Sequence, residues 1–385
     1  MNCTTIIEKK TYNVFKSTNL AIIVNKKNTT IEKDTQKSGI KLIAELANVS
    51  IGTVDRVLHN RPGVAQKTKD DVLRIIKELN YEPNILARRL VSKKLYKFVV
   101  LIPKPTEENP YWNSHITGID TAADEIKQYG VLLDKLMFNQ NDVNDFLKVC
   151  EKVKNEEYDG ILMVPFFHDE SIEFLEHCKE KSIPVVFFDT NISQSDTMSY
   201  VGQDAFKSGY LAGNLISYLL QPKETVLVVS INATKKSNNH VNFLKREEGF
   251  RNCAAQTSAF HIKILNYNSE EQKNSLEEEI LHYLKSDLSI KVLFVTNSRA
   301  YKVSEILVKN NITNLKLVGY DLIEPNINYL NTGNIDFLIS QEPIKQGYSG
   351  IMALFKNLIL KQPVEKETYM PIDIIMKDNL EFYSS

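Results

Sequence analysis

Four cysteines in 385 residues, Cys3, Cys150, Cys178 and Cys253, are too scattered for a disulfide framework and form no CxxC pair. That excludes a stapled secreted scaffold and makes the reducing cytoplasm the expected compartment, with the thiols structural. Long apolar runs are also missing. Residues 20–24 form a run of only five, far short of the roughly 20 that span a bilayer and of a signal-peptide core. Neither membrane insertion nor export is expected. Catalytic signatures are absent too: there is no GxSxG, HExxH, GxxxxGK[ST] or GxGxxG. The seven histidines, at 59, 115, 168, 177, 240, 261 and 282, lack ligand spacing. No enzyme, catalytic residue, metal site or cofactor is expected.

What is present is an ordinary globular composition, 43% hydrophobic and 25% charged, long enough for two or three domains. The formal net charge of -1 conceals an asymmetry: residues 1–39 carry a net +4, residues 40–97 a net +6, and residues 98–385 a net -11. A basic module in front of an acidic one suits a head that binds a polyanion while the rest of the molecule stays off it.

Residues 1–39 are rich in Lys, Asn and Thr without apolar periodicity, and are expected to be a disordered extension. From Ile40 the spacing becomes helical. Ile40, Ile43, Ala44 and Ala47 share one face of a first helix, which ends at Asn48, a residue tolerant of the left-handed conformation. Ser50 caps a second helix over residues 51–58, with Val54, Val57 and Leu58 turned to the first. After residues 60–63 (Asn-Arg-Pro-Gly), a third helix over about 67–79 places Val72, Leu73, Ile76 and Leu79 inward. Two short helices across a tight turn make a helix-turn-helix. The second helix presents Ile51, Gly52, Asp55 and Arg56 outward, where they do little for a helical bundle but could meet base edges. Arg56 suits guanine O6 and N7, and Ile51 suits a thymine methyl.

The stretch Ile-Lys-Leu-Ile-Ala-Glu-Leu-Ala-Asn-Val-Ser-Ile-Gly-Thr-Val-Asp-Arg-Val-Leu at 40–58, followed by Leu-Asn-Tyr-Glu-Pro-Asn at 79–84 and then Ala87 and Leu90, resembles the head of the lactose-repressor (LacI/GalR) family. The resemblance continues through the rest of the chain and leaves out only residues 1–39. It implies that Ile51, Gly52 and Arg56 read bases, while Thr53 and the helix N-terminus hold phosphates; Ser50 and Asn60 belong to the same DNA-facing set. Asn48 stands in place of a usual Gly and Asp55 in place of a common Ser. Asp55 then either accepts from cytosine N4 or orients Arg56. Residues 83–92 resemble the family's hinge helix, too short to be stable alone. In it Asn84 and Ala87 face DNA, Leu90 wedges into the minor groove, and Arg88 and Arg89 find phosphates. A plain linker is the alternative.

Beyond residue 96, apolar strands alternate with amphipathic helices. Strands are expected at 98–102, 131–136, 160–164 and 184–188, then near 225–230, 261–267, 291–295, 315–319, 335–339 and 371–376. This is an α/β pattern of two doubly wound parallel sheets, in which ligands bind beyond the carboxyl ends of strands. The residues there are Asn109, Tyr111, Trp112, Asp189, Asn297, Tyr320, Asp321 and Gln341. They resemble the pocket of periplasmic pentose- and hexose-binding proteins, whose fold the regulator family shares. The resemblance adds Arg246 at the family's arginine position and Thr190 where an Arg is common; one guanidinium fewer disfavours an anionic ligand. Taken singly, Asp189 and Asp321 could instead cap the segments that follow them, and Trp112 could be core.

The expected organisation is an extension (1–39), a helix-turn-helix head (40–82), a hinge (83–96) and a periplasmic-binding-protein-like sensor (97–385). The sensor has one lobe of about 97–203 and 342–369, and another of about 204–341 and 370–385. The expected function is sequence-specific regulation of transcription as a homodimer on a pseudopalindromic DNA operator, with no membrane partner. A sugar or polyol bound between the lobes would control it, as inducer or as corepressor. A free-standing sugar receptor for transport is the rival.

Overall fold

The computed structural model describes residues 39–383 except 59, 80, 82–94, 108, 233–238, 258–259 and 269–272. The extension ahead of Gly39 and the hinge residues Asn84, Ala87, Arg88, Arg89 and Leu90 lie outside the described residues. Two compact units divide the chain, residues 1–84 and 85–385.

In the first unit, α1 (Gly39–Leu46), α2 (Ile51–Leu58) and α3 (Gln66–Glu78) bury Ile43, Ala44, Val54, Val57, Val72 and Ile75 together. Full burial of an aliphatic side chain contributes about 1.5–3 kcal/mol, and a domain this small has little else to draw on. Asn48, at φ 51°, ends α1. Its N–H reaches Glu45 O and that of Val49 reaches Ala44 O, a pairing that satisfies the last carbonyls and sets the tight turn. Asn60, at φ 49°, does the same for α2. The helix begins one residue earlier than expected, at Gly39, where a Cβ would lie 2.3 Å from the Tyr81 ring. The third helix departs from expectation in its phase: Ile75 is buried, whereas Leu73 and Leu79 are 44% and 40% exposed. Successive helical residues are about 100° apart, so Leu73 swings away once Val72 faces inward.

The second unit contains two six-stranded sheets, ordered β11-β5-β4-β3-β1-β2 and β12-β10-β9-β8-β6-β7. The first holds β1 (Tyr96–Pro103), β2 (Val131–Phe138), β3 (Gly160–Met163), β4 (Val185–Phe188), β5 (Ser199–Gly202) and β11 (Glu367–Tyr369); the second holds β6 (Thr225–Asn232), β7 (His261–Asn268), β8 (Ile290–Val295), β9 (Lys316–Tyr320), β10 (Phe337–Ser340) and β12 (Asp373–Ile375). Central strands such as β1 and β8 are buried on both faces, which is why they read as unbroken Val, Leu, Ile and Phe. Intervening helices cover the sheets.

The sheets are not wholly parallel as expected: β12 pairs antiparallel with β10, with Ile339 opposite Ile374. The chain leaves β11 at the edge of one sheet and enters the other as β12 after three residues. It is one of three crossings between the lobes, with those after β5 and after β10. Gln203 ties all three, since its Nε2 donates to the carbonyls of Ser340 and Pro371, each at 2.9 Å.

Candidate ligand cleft and DNA-reading helix

Asp189 and Asp321 directly follow β4 and β9, one in each lobe, with φ of 63° and 71°. This left-handed bend suits Asp better than most residues. It ends each strand and leaves both carboxyl groups buried in one polar cluster, 5% and 2% exposed. The capping alternative does not hold for Asp321, because the next helix, Glu324–Asn331, starts from Ile323 without a side-chain cap.

Around Asp189, the Tyr111 hydroxyl donates to Oδ1 at 2.6 Å and Thr190 Oγ1 to Oδ2 at 2.9 Å. Across the cleft, Gln341 Nε2 donates to both oxygens of Asp321, at 2.8 and 3.0 Å. Arg246, in the helix Asn239–Thr257, stacks its guanidinium 4.1 Å from the Tyr320 ring centroid. Its terminal nitrogens donate to Thr296 O at 2.8 Å and to Gln341 Oε1, while Nε finds no acceptor among the described residues. Tyr320 shares a hydrogen bond with Ser208 at 2.9 Å and so serves as a platform for Arg246. Seven of the expected residues, Tyr111, Asp189, Thr190, Arg246, Tyr320, Asp321 and Gln341, therefore stand in one buried cluster.

The others are placed differently. Asn297 spends its amide on Ile231 O at 2.8 Å and pins β8 to β6. Trp112 is fully buried among Tyr111, His115 and Phe166. Asn109 and the Trp112 indole both donate to Gln140 Oε1, at 2.9 and 3.4 Å. Asn109 and Gln140 line a cavity of about 680 Å³ that Arg299 reaches from the other lobe. A second cavity, of about 110 Å³, touches Tyr111, Asp321, Glu342 and Tyr383.

Burial sets the proton state of this cluster. It pushes Asp321 up to about 7, reinforced by the like charge of Asp189 and opposed by Arg246 and Gln341. Burial first, then the charges of Asp189 and Asp321, raises Tyr111 well above an ordinary phenol, so it keeps its proton and remains a donor. His115, fully buried with its Nε2 4.0 Å from Asp189, is lowered to about 4 by burial against the pull of that carboxylate. It is neutral at neutral pH.

Sequence reasoning missed Gln140, Gln203, His115, Asn242 and Asn326. Asn242 Nδ2 donates across the lobes to Asp189 O and Thr190 Oγ1, each at 3.2 Å. Asn326 gathers the carbonyls of Ser298, Tyr320 and Asp321. The signal for Asn242 lay in the sequence, four residues and hence one helical turn ahead of Arg246. The other four carried none.

In the head, Ser50 Oγ accepts from Thr53 N at 3.1 Å and caps α2. Ile51 is 49% exposed, and Gly52 and Arg56 are exposed beside it. A Cβ on Gly52 would meet only Ser50 Oγ, at 3.7 Å, so packing does not call for glycine there. Asp55 pairs with Arg61 at 3.3 Å, a partner the sequence reading did not name. Asn60 Oδ1 accepts from Lys69, which ties the end of α2 to α3.

Residues 39–84 match the model for bacterial regulatory proteins of the lacI family, and residues 99–362 match the periplasmic binding protein domain. The chain belongs to the lacI family. The chain is 28% identical over 229 residues to a Bacillus subtilis protein named as the HTH-type transcriptional repressor ExuR, covering 58% of this chain and 62% of that one. It is 25% identical over 350 residues to the sucrose operon repressor of Streptococcus mutans, covering 88% and 98%. Among solved structures, a LacI transcriptional regulator from Bacteroides fragilis superposes with a TM-score of 0.70 at 27% identity, over 75% of this chain and all of that one. These relatives are all named as transcriptional repressors or regulators. Among the described residues, no helix is long and apolar enough to cross a membrane.

Proposed function

We propose that this regulator represses transcription by binding a pseudopalindromic operator as a cytoplasmic homodimer, and that a sugar or polyol held between the sensor lobes controls its grip. One observation carries the reading: strand-end residues from both lobes form a single buried polar cluster, in a chain whose head exposes a capped helix with Ile51, Gly52 and Arg56 outward. Ile51, Gly52 and Arg56 read base edges, with Ser50, Thr53 and Asn60 on the backbone side and Asp55 and Arg61 as a pair beside them. In the hinge, Asn84, Ala87, Arg88 and Leu90 act over the operator centre.

In the cleft, Asp189, Asp321 and Arg246 bind ligand hydroxyls, with Tyr111, Thr190, Asn242 and Gln341 orienting them. Asn109, Trp112, Asn297 and Tyr320 shape the walls. A ligand shifts only an equilibrium whose states it binds unequally. Closure through the Asn242 bridge and the Gln203-tied crossings is the movement that binding would favour. Footprinting of genomic fragments with the full-length protein, with and without sugars, tests this. Protection of discrete sites that one sugar strengthens or relieves is the expected result; no protected site under any condition overturns the reading.

A further inference from the structure

The cleft is short of positive charge. Asp189 and Asp321 follow β4 and β9 and are both buried, yet neither has a Lys or Arg within ion-pair distance among the described residues. The nearest basic group to Asp189 is His115, at 4.0 Å and neutral. Asp321 is held by an amide, Gln341. Arg246 directs its terminal nitrogens at a backbone carbonyl and at that same amide. Buried carboxyl groups are normally paired with a cation or else give up their charge. Here Asp321 lines a cavity of about 110 Å³ together with Tyr111, whose hydroxyl lies on Asp189, and the buried Nε of Arg246 lacks an acceptor among the described residues.

We infer that the effector is a sugar or polyol bearing a primary ammonium, which lies between Asp189 and Asp321 and supplies the missing cation, while a hydroxyl or ring oxygen accepts from Arg246 Nε. This rests on the reading of the cleft as a polyol site and narrows it. An ammonium has three donors and no acceptor, which matches two carboxyl groups with open lone pairs. A uronate would bring a further carboxylate beside Asp189, Asp321 and Glu342 and be rejected. The titratable and charged groups around Asp321 are Asp189, Arg246, Tyr111 and Tyr320, with Gln341 on its oxygens, and Glu342 and Tyr383 on the cavity it shares with Tyr111. Because Asp321 is about half protonated near neutrality, ammonium binding displaces its proton to solvent. Affinity for the ammonium therefore rises with pH through neutrality, and falls again only when the amine itself loses its proton.

Full-length protein titrated calorimetrically with D-glucosamine, D-galactosamine and D-mannosamine, with their neutral parents and with D-glucuronate and D-galacturonate tests this. At least one amino sugar should bind about tenfold or more tightly than its neutral parent, the size of a charged hydrogen bond. Asp321→Asn should erase that advantage while Trp112 fluorescence still reports a folded sensor. If neutral parents bind as well as or better than every amino sugar, or if a uronate binds best, the ammonium inference falls and the polyol reading stands. If no member of the panel binds, both fall. An amino-sugar preference that survives both Asp321→Asn and Asp189→Asn would also overturn the assignment.

Discussion

Replacing Asp321 by Asn removes a group whose ionisation the fold opposes, and the size of the effect follows from the site. Native Asp321 titrates at about 7 because of burial, against an ordinary value of 3.8. Between those values the folded state holds a proton that the unfolded chain has released, so wild-type stability falls as pH rises through this window and is flat above it. Three pH units correspond to about 4 kcal/mol, an upper bound for the unliganded protein. Asn keeps the neutral form at every pH, but its amide leaves a donor facing Gln341 Nε2, a constant penalty of about 1–3 kcal/mol. The penalty offsets the curve without changing its slope. His115 acts in the opposite direction: with its native value lowered to about 4, it adds stability as pH rises toward its ordinary value of 6.5, and it masks Asp321 in the wild type alone. The difference between mutant and wild type cancels it. Trp112 is the sole tryptophan and is fully buried in the sensor, so urea titrations followed by its fluorescence report that unit without the head. The mutant should gain on the wild type by about 2–4 kcal/mol between roughly pH 4 and pH 8. A difference that stays flat across that range would refute the account of Asp321 as a buried, cation-starved carboxyl.

Other perturbations separate reading, packing and closure. Arg56→Ala should cost about 1–3 kcal/mol at a single operator base pair in gel-shift titrations over operator variants; a uniform loss would make Arg56 a phosphate contact. Gly52→Ala should leave the head equally or slightly more stable, by up to about 1 kcal/mol in helix propensity, yet weaken operator binding, because space there is open in the free protein. An unchanged operator affinity would remove Gly52 from the interface. Gln203→Leu strands the carbonyls of Ser340 and Pro371 and should cost about 2 kcal/mol or more in urea unfolding, with effector affinity reduced as well; a neutral result would show that the crossings hold without it. Gly249→Ala would place a methyl 2.0 Å from Phe206 O, where the helices Ala205–Ser217 and Asn239–Thr257 touch. The separation should cost about 1–3 kcal/mol and displace Arg246, so effector response should fail while operator binding persists.

Those helices show where sequence reasoning works and where it stops. Asn48 could be read as a turn, and Ser50 as a cap, because both are local: a left-handed residue and a side-chain acceptor need only their own neighbours. Strands β1, β6 and β8 could be read because burial on both faces leaves runs of Val, Leu, Ile and Phe. By contrast β5 and β11, Ser-Tyr-Val-Gly and Glu-Thr-Tyr, are three or four residues long, and their pairing exists only because distant segments are brought alongside. The antiparallel pairing of β12 with β10 likewise joins segments separated in sequence by a helix and a strand of the other sheet. The candidate site divides along the same line. Tyr111, Asp189, Asp321 and Gln341 follow strands, and the strand-end rule finds them. Gln140 and Gln203 do their work by reaching between segments far apart in sequence, so their partners cannot be found by scanning nearby residues. This also explains why Asn297, at a strand end like the rest, turns its amide to Ile231 O instead: the rule locates the rim of a cleft, while the hydrogen-bond needs of the neighbouring backbone decide which side chains remain for a ligand. Asp321 remains available because Gln341 is its one side-chain donor among the described residues, and a carboxyl so weakly compensated is what a cationic ligand would recognise.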